Sequence, residues 1–173
     1  GKDFGKGFYL SKEFDQAQRM AQITAVRRGG TPQVTTFEFD EACLNDGQLR
    51  VKIFDGYTIE WAQFILRNRL NNSDTLAHDY DIVIGPIADD KVGVQIRQLL
   101  REYITLEQFQ KKVEYITPTI QYFFATERAI AFLHHGNRKV IPFSGTCFQS
   151  TAMEPDDRRK IISVRQIHIQ KLH

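Results

Sequence analysis

Five consecutive residues invite a chemical question. Gly5-Lys6-Gly7-Phe8-Tyr9 sets two glycines and a lysine against two aromatic rings, and a helical pattern begins almost at once. Glycine gives the backbone conformations other residues avoid and lets other groups approach it closely. Backbone freedom beside a tyrosine needs a reason. Thirteen Phe and six Tyr are many for 173 residues, and aromatic rings line clefts as well as fill cores. Other reactive types are less pointed. Asp89-Asp90 lacks a third ligand at metal-binding spacing and suits a strand-to-helix turn. The adjacent His134-His135 is expected at a helix end, where the two rings point in different directions and share no metal. Glu127 follows Thr126 in a first helical turn, where negative charge suits the helix dipole. Cys43 and Cys147 make neither a disulfide framework nor a metal set, and are expected as free thiols. There is no G-x-G-x-x-G, no phosphate-loop pattern and no H-E-x-x-H.

These residues must be held by the elements around them. Phe8–Leu10 reads as a short strand. Ser11 is the expected N-cap of a helix reaching Arg28, stopped by Gly29-Gly30, with Phe14, Ala17, Met20, Ala21 and Thr24 on one face. Gln33–Phe39 and Leu49–Phe54 read as strands. The stretch "TIEWAQFILRNRL" is helical with Trp61, Phe64, Ile65 and Leu66 inside, and "NNSDTLAHD" is loop. "YDIVIGPIADD" is a buried strand kinked at Gly85-Pro86. Helices are expected over Val94–Tyr103 and Leu106–Val113, the second capped by Thr105. Thr119–Ala125 is a strand, and Thr126 is expected to cap a helix running to about His134 and ending at Gly136. "KIISVRQIHI" reads as a last strand with no evident partner. Strands and helices mix without strict alternation, which predicts an α+β fold with mainly antiparallel sheet.

The totals narrow the class. The composition, 42% hydrophobic and 25% charged, is that of an ordinary soluble globular protein. No apolar run approaches the roughly 20 residues of a membrane span, and Gly1–Lys12 has no signal-peptide core. The net charge of +2 is uneven. Residues 137–173 hold seven Lys/Arg against three Asp/Glu, and the rest holds sixteen against eighteen. The expected organisation is one domain over 1–136 and a basic extension over 137–173. Such an extension is ordinarily solvated surface, and it keeps nucleic-acid contact open as an option.

"DFGKGFYLSKEFDQAQRMA", "YDIVIGPIADD" and "QYFFATERAI", in that order, resemble a bacterial family of ADP-ribosyltransferase-like domains. Gly-Lys-Gly-Phe-Tyr itself resembles the Gly-Lys-Gly-Ile-Tyr segment of poly(ADP-ribose) polymerases and the diphtheria-toxin branch. The similarity covers about Asp3 to Leu133. It implies a split pair of mainly antiparallel sheets with flanking helices, and NAD as co-substrate. It also assigns roles. Tyr9 falls where the fold stacks a tyrosine on nicotinamide, and Gly5, Gly7 and Phe8 lie along the same cofactor-binding segment. Lys6 is placed to approach a phosphate or the acceptor. Met20 stands where relatives carry a second aromatic. Gln121 falls at the position of the fold's catalytic glutamate. Being an amide, it accepts a hydrogen bond but cannot serve as a carboxylate base. The His-Gly or Arg pair that ordinarily precedes this segment in the fold would fall before Gly1.

The resemblance therefore implies NAD-dependent mono-ADP-ribosyl transfer, with no polymer synthesis. The acceptor is macromolecular, a protein rather than a nucleic acid, and the protein is expected in the cytoplasm or as a delivered effector. The alternative is a degenerate module that binds NAD, ADP-ribose-like ligands or a protein partner without turnover. Read without the resemblance, Tyr9 is a ring packed at a strand end, Gly5 and Gly7 make a tight turn, and Gln121 pairs its amide with backbone.

Overall fold

The computed structural model describes residues 2–140, the side chain of Asp90 excepted, and the backbone of residues 161–170. The elements in chain order are β1 (Phe8–Ser11), α1 (Phe14–Arg28), β2 (Thr31–Asp40), a 3-10 turn (Glu41–Leu44), β3 (Val51–Ile53) and α2 (Ile59–Leu70). They continue with β4 (Ile82–Pro86), α3 (Asp90–Leu100), α4 (Leu106–Val113), β5 (Ile120–Phe124), α5 (Glu127–Ile130), β6 (Leu133–Val140) and β7 (Ile161–Gln170). The chain is α+β. β3 and β4 run parallel, while the pairings β4–β5, β1–β7, β2–β7 and β2–β6 are antiparallel. No described helix is long and apolar enough to cross a membrane.

The chain folds as two compact units, Gly1–Tyr9 with Leu49–Ile130, and Leu10–Gln48 with Ala131–His173. β6 and β7 both pair with β2.

In the first unit the core is aromatic. Phe4, Trp61, Phe109 and Phe123 are fully buried, joined by Phe54, Phe64, Ile65, Val83 and Ile96. The α2 pattern delivers Trp61, Ile65 and Asn68 to one face, and Thr58 caps its start by accepting from Trp61 N. α3 begins at Asp90, earlier than expected, because the Asp89 carboxylate accepts from Lys91 N and Val92 N and nucleates the helix there. α4 matches its expected span and carries the capping box between Thr105 and Gln108. The expected long helix after Thr126 stops at Ile130.

Asp81 ties three of these elements together. Its buried carboxylate accepts from Arg50 N at 2.8 Å and from the Thr126 hydroxyl at 3.0 Å, with Arg50 Nε 3.6 Å away. Burial pushes this carboxyl up, and the Arg50 amide, the Thr126 hydroxyl and the nearby guanidinium groups outweigh it, so the net shift is downward. Asp81→Ala is expected to cost about 2 kcal/mol by leaving both donors unpaired, measured by chemical denaturation. Because the carboxyl is held low, its contribution is present above its ordinary value of 3.8 and is lost as pH falls below it.

In the second unit α1 packs on β2 through an alanine stripe, Ala17, Ala21 and Ala25. Ser11 is not the helix cap. It closes β1, and its hydroxyl accepts from Glu13 N at 3.1 Å, so the helix starts at Phe14 with no side-chain cap. Of the expected apolar face, Ala17 and Ala21 are buried with Phe14 packed against them, whereas Met20 is 39% exposed and Thr24 donates to its carbonyl. His134-His135 and Gly136 are strand residues, not a helix end. Phe37 pairs with His135 in register, and their rings meet edge-on at 5.3 Å. β7 finds its partner in β2 over ten consecutive pairs from Thr31–Gln170 to Asp40–Ile161. Cys43 is a buried free thiol that donates to Asp40 O, and burial pushes its pKa up to about 11. Cys147 and most of the basic extension lie outside the described residues.

Candidate functional site

The glycine segment is bent and pinned by its own side chains. Gly5 sits at φ +106, a conformation that L side chains rarely adopt. A Cβ there would lie 2.6 Å from Leu76 Cδ2, and one on Gly7 would lie 2.4 Å from Phe123 and 2.8 Å from the Phe124 carbonyl. Both glycines are therefore demanded by the chain's own packing. Tyr9 closes the turn. Its hydroxyl donates to Gly5 O at 2.8 Å and accepts from Phe4 N at 3.0 Å. Its ring stacks on Phe4 at 6.4 Å and meets Phe123 at 4.7 Å. The Lys2 ammonium stands 5.2 Å from the ring centroid, so the ring also receives a cation.

Burial is the main cause raising the Tyr9 hydroxyl far above its ordinary value of 10, while its hydrogen bond to Phe4 opposes the rise. The folded state therefore keeps this proton where an unfolded tyrosine loses it, and stability falls as pH rises above about 10. Alkaline absorbance titration is expected to show Tyr9 among the tyrosines that ionise late, beside Tyr57, whose hydroxyl burial pushes up to about 12. Tyr9→Phe is expected to reduce the amplitude of the late step by one tyrosine.

Outside the turn, three further contacts hold the segment. Asp3 Oδ1 accepts from Arg69 Nε at 2.9 Å and from its terminal nitrogen at 2.6 Å, and Asp3 Oδ2 accepts from Ala88 N at 3.3 Å. Lys6 pairs with Asp74 at 2.5 Å, both exposed. His78 meets Phe4 O through Nε2 at 2.9 Å. Sequence reasoning missed Asp3, Arg69 and His78, whose partners are remote along the chain. A recognisable signal existed only for Asn68, a polar residue spaced into the buried stripe of α2. Its Oδ1 has no partner and lies 3.5 Å from where a Gly5 Cβ would be.

Gln121 enters from β5. It is opposite Gly85, as Phe123 is opposite Val83. A Cβ on Gly85 would lie 3.1 Å from Phe54 Cβ and 3.4 Å from Phe4 Cζ. Alternation along the strand sends Gln121 and Phe123 to one face. The Gln121 side chain therefore leaves the sheet on the face holding Phe4, Phe54 and Phe123, and Tyr9 packs on two of these rings. Gln121 is 8% exposed, and its Nε2 has no hydrogen-bond partner. A buried orphan donor is costly. An amide turned end for end offers an acceptor at the same place, so the group can receive or donate.

Of the residues singled out in the sequence, the structure gathers Gly5, Gly7, Tyr9 and Gln121 on one aromatic cluster. Lys6 points to Asp74, Phe8 is half-buried, and Met20 belongs to the second unit. A cavity of about 510 Å³ in the first unit, lined by Tyr57, Glu107, Lys111, Glu114, Ile116 and Pro118 among others, includes neither Tyr9 nor Gln121.

Fold and site together define an α+β domain in which a glycine-bent turn, closed by a tyrosine, overlies an aromatic core that includes the buried Gln121 amide with its Nε2 unpaired. The chain belongs to the family described as protein of unknown function (DUF3990), whose model matches residues 1–135. No curated protein and no solved structure matches it.

Proposed function

We propose that this chain carries the NAD site of a mono-ADP-ribosyltransferase that modifies a protein acceptor. The observation that carries the reading is the Gln121 amide: buried, unpaired at Nε2, and on the face where Tyr9 packs. The Tyr9 ring adds support, because it already holds an ammonium group, and the nicotinamide of NAD is a flat cation. An exposed cation–π contact is worth only about 0.5–1 kcal/mol, so Lys2 yields readily to a ring that stacks as well.

In this reading Tyr9 orients the nicotinamide and the Gln121 amide holds a ribose hydroxyl, restricting the sugar to a reactive pose. The bond between C1′ of the ribose and the nicotinamide nitrogen breaks, and nicotinamide leaves with the bonding pair. Positive charge builds on the sugar and is stabilised by fixed polar groups around it. The acceptor nucleophile bonds to C1′ and its proton passes to solvent. Gln121 cannot take that proton, being an amide. This favours single transfer over chain growth.

Incubating the protein with labelled NAD and a cell extract tests the reading, with nicotinamide release followed in parallel. Label on protein together with free nicotinamide is the expected result. The absence of a carboxylate at position 121 favours a second reading, in which NAD or ADP-ribose is bound without turnover. Calorimetric binding with no nicotinamide release supports that one. Neither binding nor release by folded protein removes both.

A further inference from the structure

The loop between α2 and β4 carries a histidine whose two ring nitrogens are both committed. Tyr80 N donates to His78 Nδ1 at 3.2 Å. A nitrogen that accepts carries no proton, so in neutral imidazole the proton sits on the other nitrogen. His78 Nε2 is then the donor to Phe4 O at 2.9 Å, across 74 residues of chain. The pairing is possible in one tautomer of the neutral ring and in no other form. A second proton on Nδ1 would face the Tyr80 N–H and break that contact.

The loop touches the glycine segment at three successive places: Asp74 on Lys6, Leu76 against Gly5 and His78 on Phe4. Of these, the Lys6–Asp74 pair is solvent-exposed and contributes little. Leu76 contributes shape. His78 supplies the directional bond, and Phe4, the residue it holds, also donates its N–H to the Tyr9 hydroxyl. Position 78 therefore bears on Tyr9 through a single intervening residue.

We propose that His78 is the positioning residue of the glycine turn: as neutral imidazole protonated on Nε2 it latches residues 71–80 over Phe4–Tyr9, and protonation of its Nδ1 opens the latch by expelling the Tyr80 N–H and placing a charge against Phe64 and Phe123, in opposition to the Nε2–H bond to Phe4, which the charged ring would keep. The surroundings agree. The ring stacks on Phe64 of α2 at 5.1 Å and meets Phe123 of β5 edge-on at 5.9 Å, both apolar. From its own loop it is faced by Tyr80 at 5.7 Å and has Asp79 as neighbour, which is paired with Arg50 at 2.8 Å. From the N-terminal segment it is met by Phe4, whose neighbour Asp3 is engaged by Arg69. Burial depresses the His78 pKa below 6.5, against the Phe4 carbonyl and Asp79, which raise it. The folded state then binds fewer protons than the unfolded chain, so the latch is complete above about pH 6.5 and weakens as pH falls below it.

The role of this turn in holding NAD rests on the function proposed above; the latch itself does not, and the experiment separates the two. Long-range proton–nitrogen spectra of the full chain between pH 5 and 8 identify the tautomer, with the signal assigned by its loss in His78→Gln. Amide exchange at Gly5, Gly7 and Tyr9 reports the latch, and calorimetry with NAD reports the site. The expected result is an Nε2–H tautomer that protonates below pH 6.5. Below that midpoint, exchange at Gly5, Gly7 and Tyr9 should accelerate about tenfold per pK unit of coupling, with β4 and β5 amides unchanged. His78→Gln keeps a donor toward Phe4 and does not titrate, so its exchange in this segment is expected to be independent of pH. An Nδ1–H tautomer, protonation at or above pH 6.5, or exchange that rises equally throughout the first unit would overturn the proposal. If the latch behaves as expected and NAD does not bind at any pH, the functional reading falls and the latch stands.

Discussion

Replacing Gly7 with alanine is expected to destabilise the first unit by about 3 kcal/mol or more, at the upper end of what overpacking does to a core. The added methyl would lie 2.4 and 2.7 Å from two ring carbons of Phe123 and 2.8 Å from the Phe124 carbonyl. The ring cannot swing aside. Phe123 is fully buried and is met by Phe4, Tyr9 and His78. The carbonyl is backbone at the end of β5, so relief requires the turn to lift off the sheet. Lifting it would strain the Tyr9 bonds to Gly5 and Phe4 as well, and losses of directly coupled groups do not simply add. Denaturant unfolding followed by tryptophan fluorescence measures the effect, since the single Trp61 is in this core. Gly56→Ala is the matched comparison. Neither Gly7 nor Gly56 has positive φ, and a Cβ on Gly56 meets nothing within 4 Å. Its effect is that of backbone entropy alone, within about 1 kcal/mol. Equal effects at the two positions would show that the Phe123 contact is not what requires a glycine.

The comparison also shows what kind of information the sequence carries. A glycine pair beside an aromatic pair announces that something comes close to the backbone. The motif alone does not say what, and the resemblance suggested a cofactor. Here the approaching groups are Phe123 and Leu76, which lie far along the chain. Elements whose signal is local were legible in the same way. α4 follows from one capping box, and α2 from an apolar stripe with a threonine at its start. β6 was not legible, because its residues, Leu-His-His-Gly-Asn-Arg-Lys-Val, have the polarity of a loop. What makes them a strand is the open side of β2, about a hundred residues earlier, whose backbone groups need partners. β7 reads as a strand by composition, but its partner is again β2 and is set by topology. The site divides on the same line. Tyr9 and Gln121 stand out through motifs, whereas Asp3–Arg69 and His78–Phe4 join residues 66 and 74 positions apart. No spacing rule reaches that far.

Gln121→Leu is expected to produce two changes of opposite sign, and the opposition is what makes it informative. Leucine matches much of the glutamine's bulk and removes a buried donor that has no partner. Replacing an unsatisfied polar group by an apolar one of similar shape is neutral or stabilising, and the neighbouring Phe4 and Phe123 rings suit leucine. Unfolding free energy is therefore expected to be unchanged or to rise by about 1 kcal/mol. Nicotinamide release is expected to fall by about 10²–10³-fold, the usual consequence of removing one preorganised polar group from a reacting centre. A residue kept at a cost to stability and needed for activity has a functional reason to be there. Gln121→Glu tests the same position from the other side. It places at this position the carboxylate that the resemblance implies, yet buries it among aromatic rings, so its pKa should rise and its benefit should appear only at alkaline pH. If Gln121→Leu instead lowers stability by more than about 1 kcal/mol while NAD binding and release are unaffected, the amide is part of the scaffold, paired in solution with water or backbone. The proposed site would then lose the observation on which it stands.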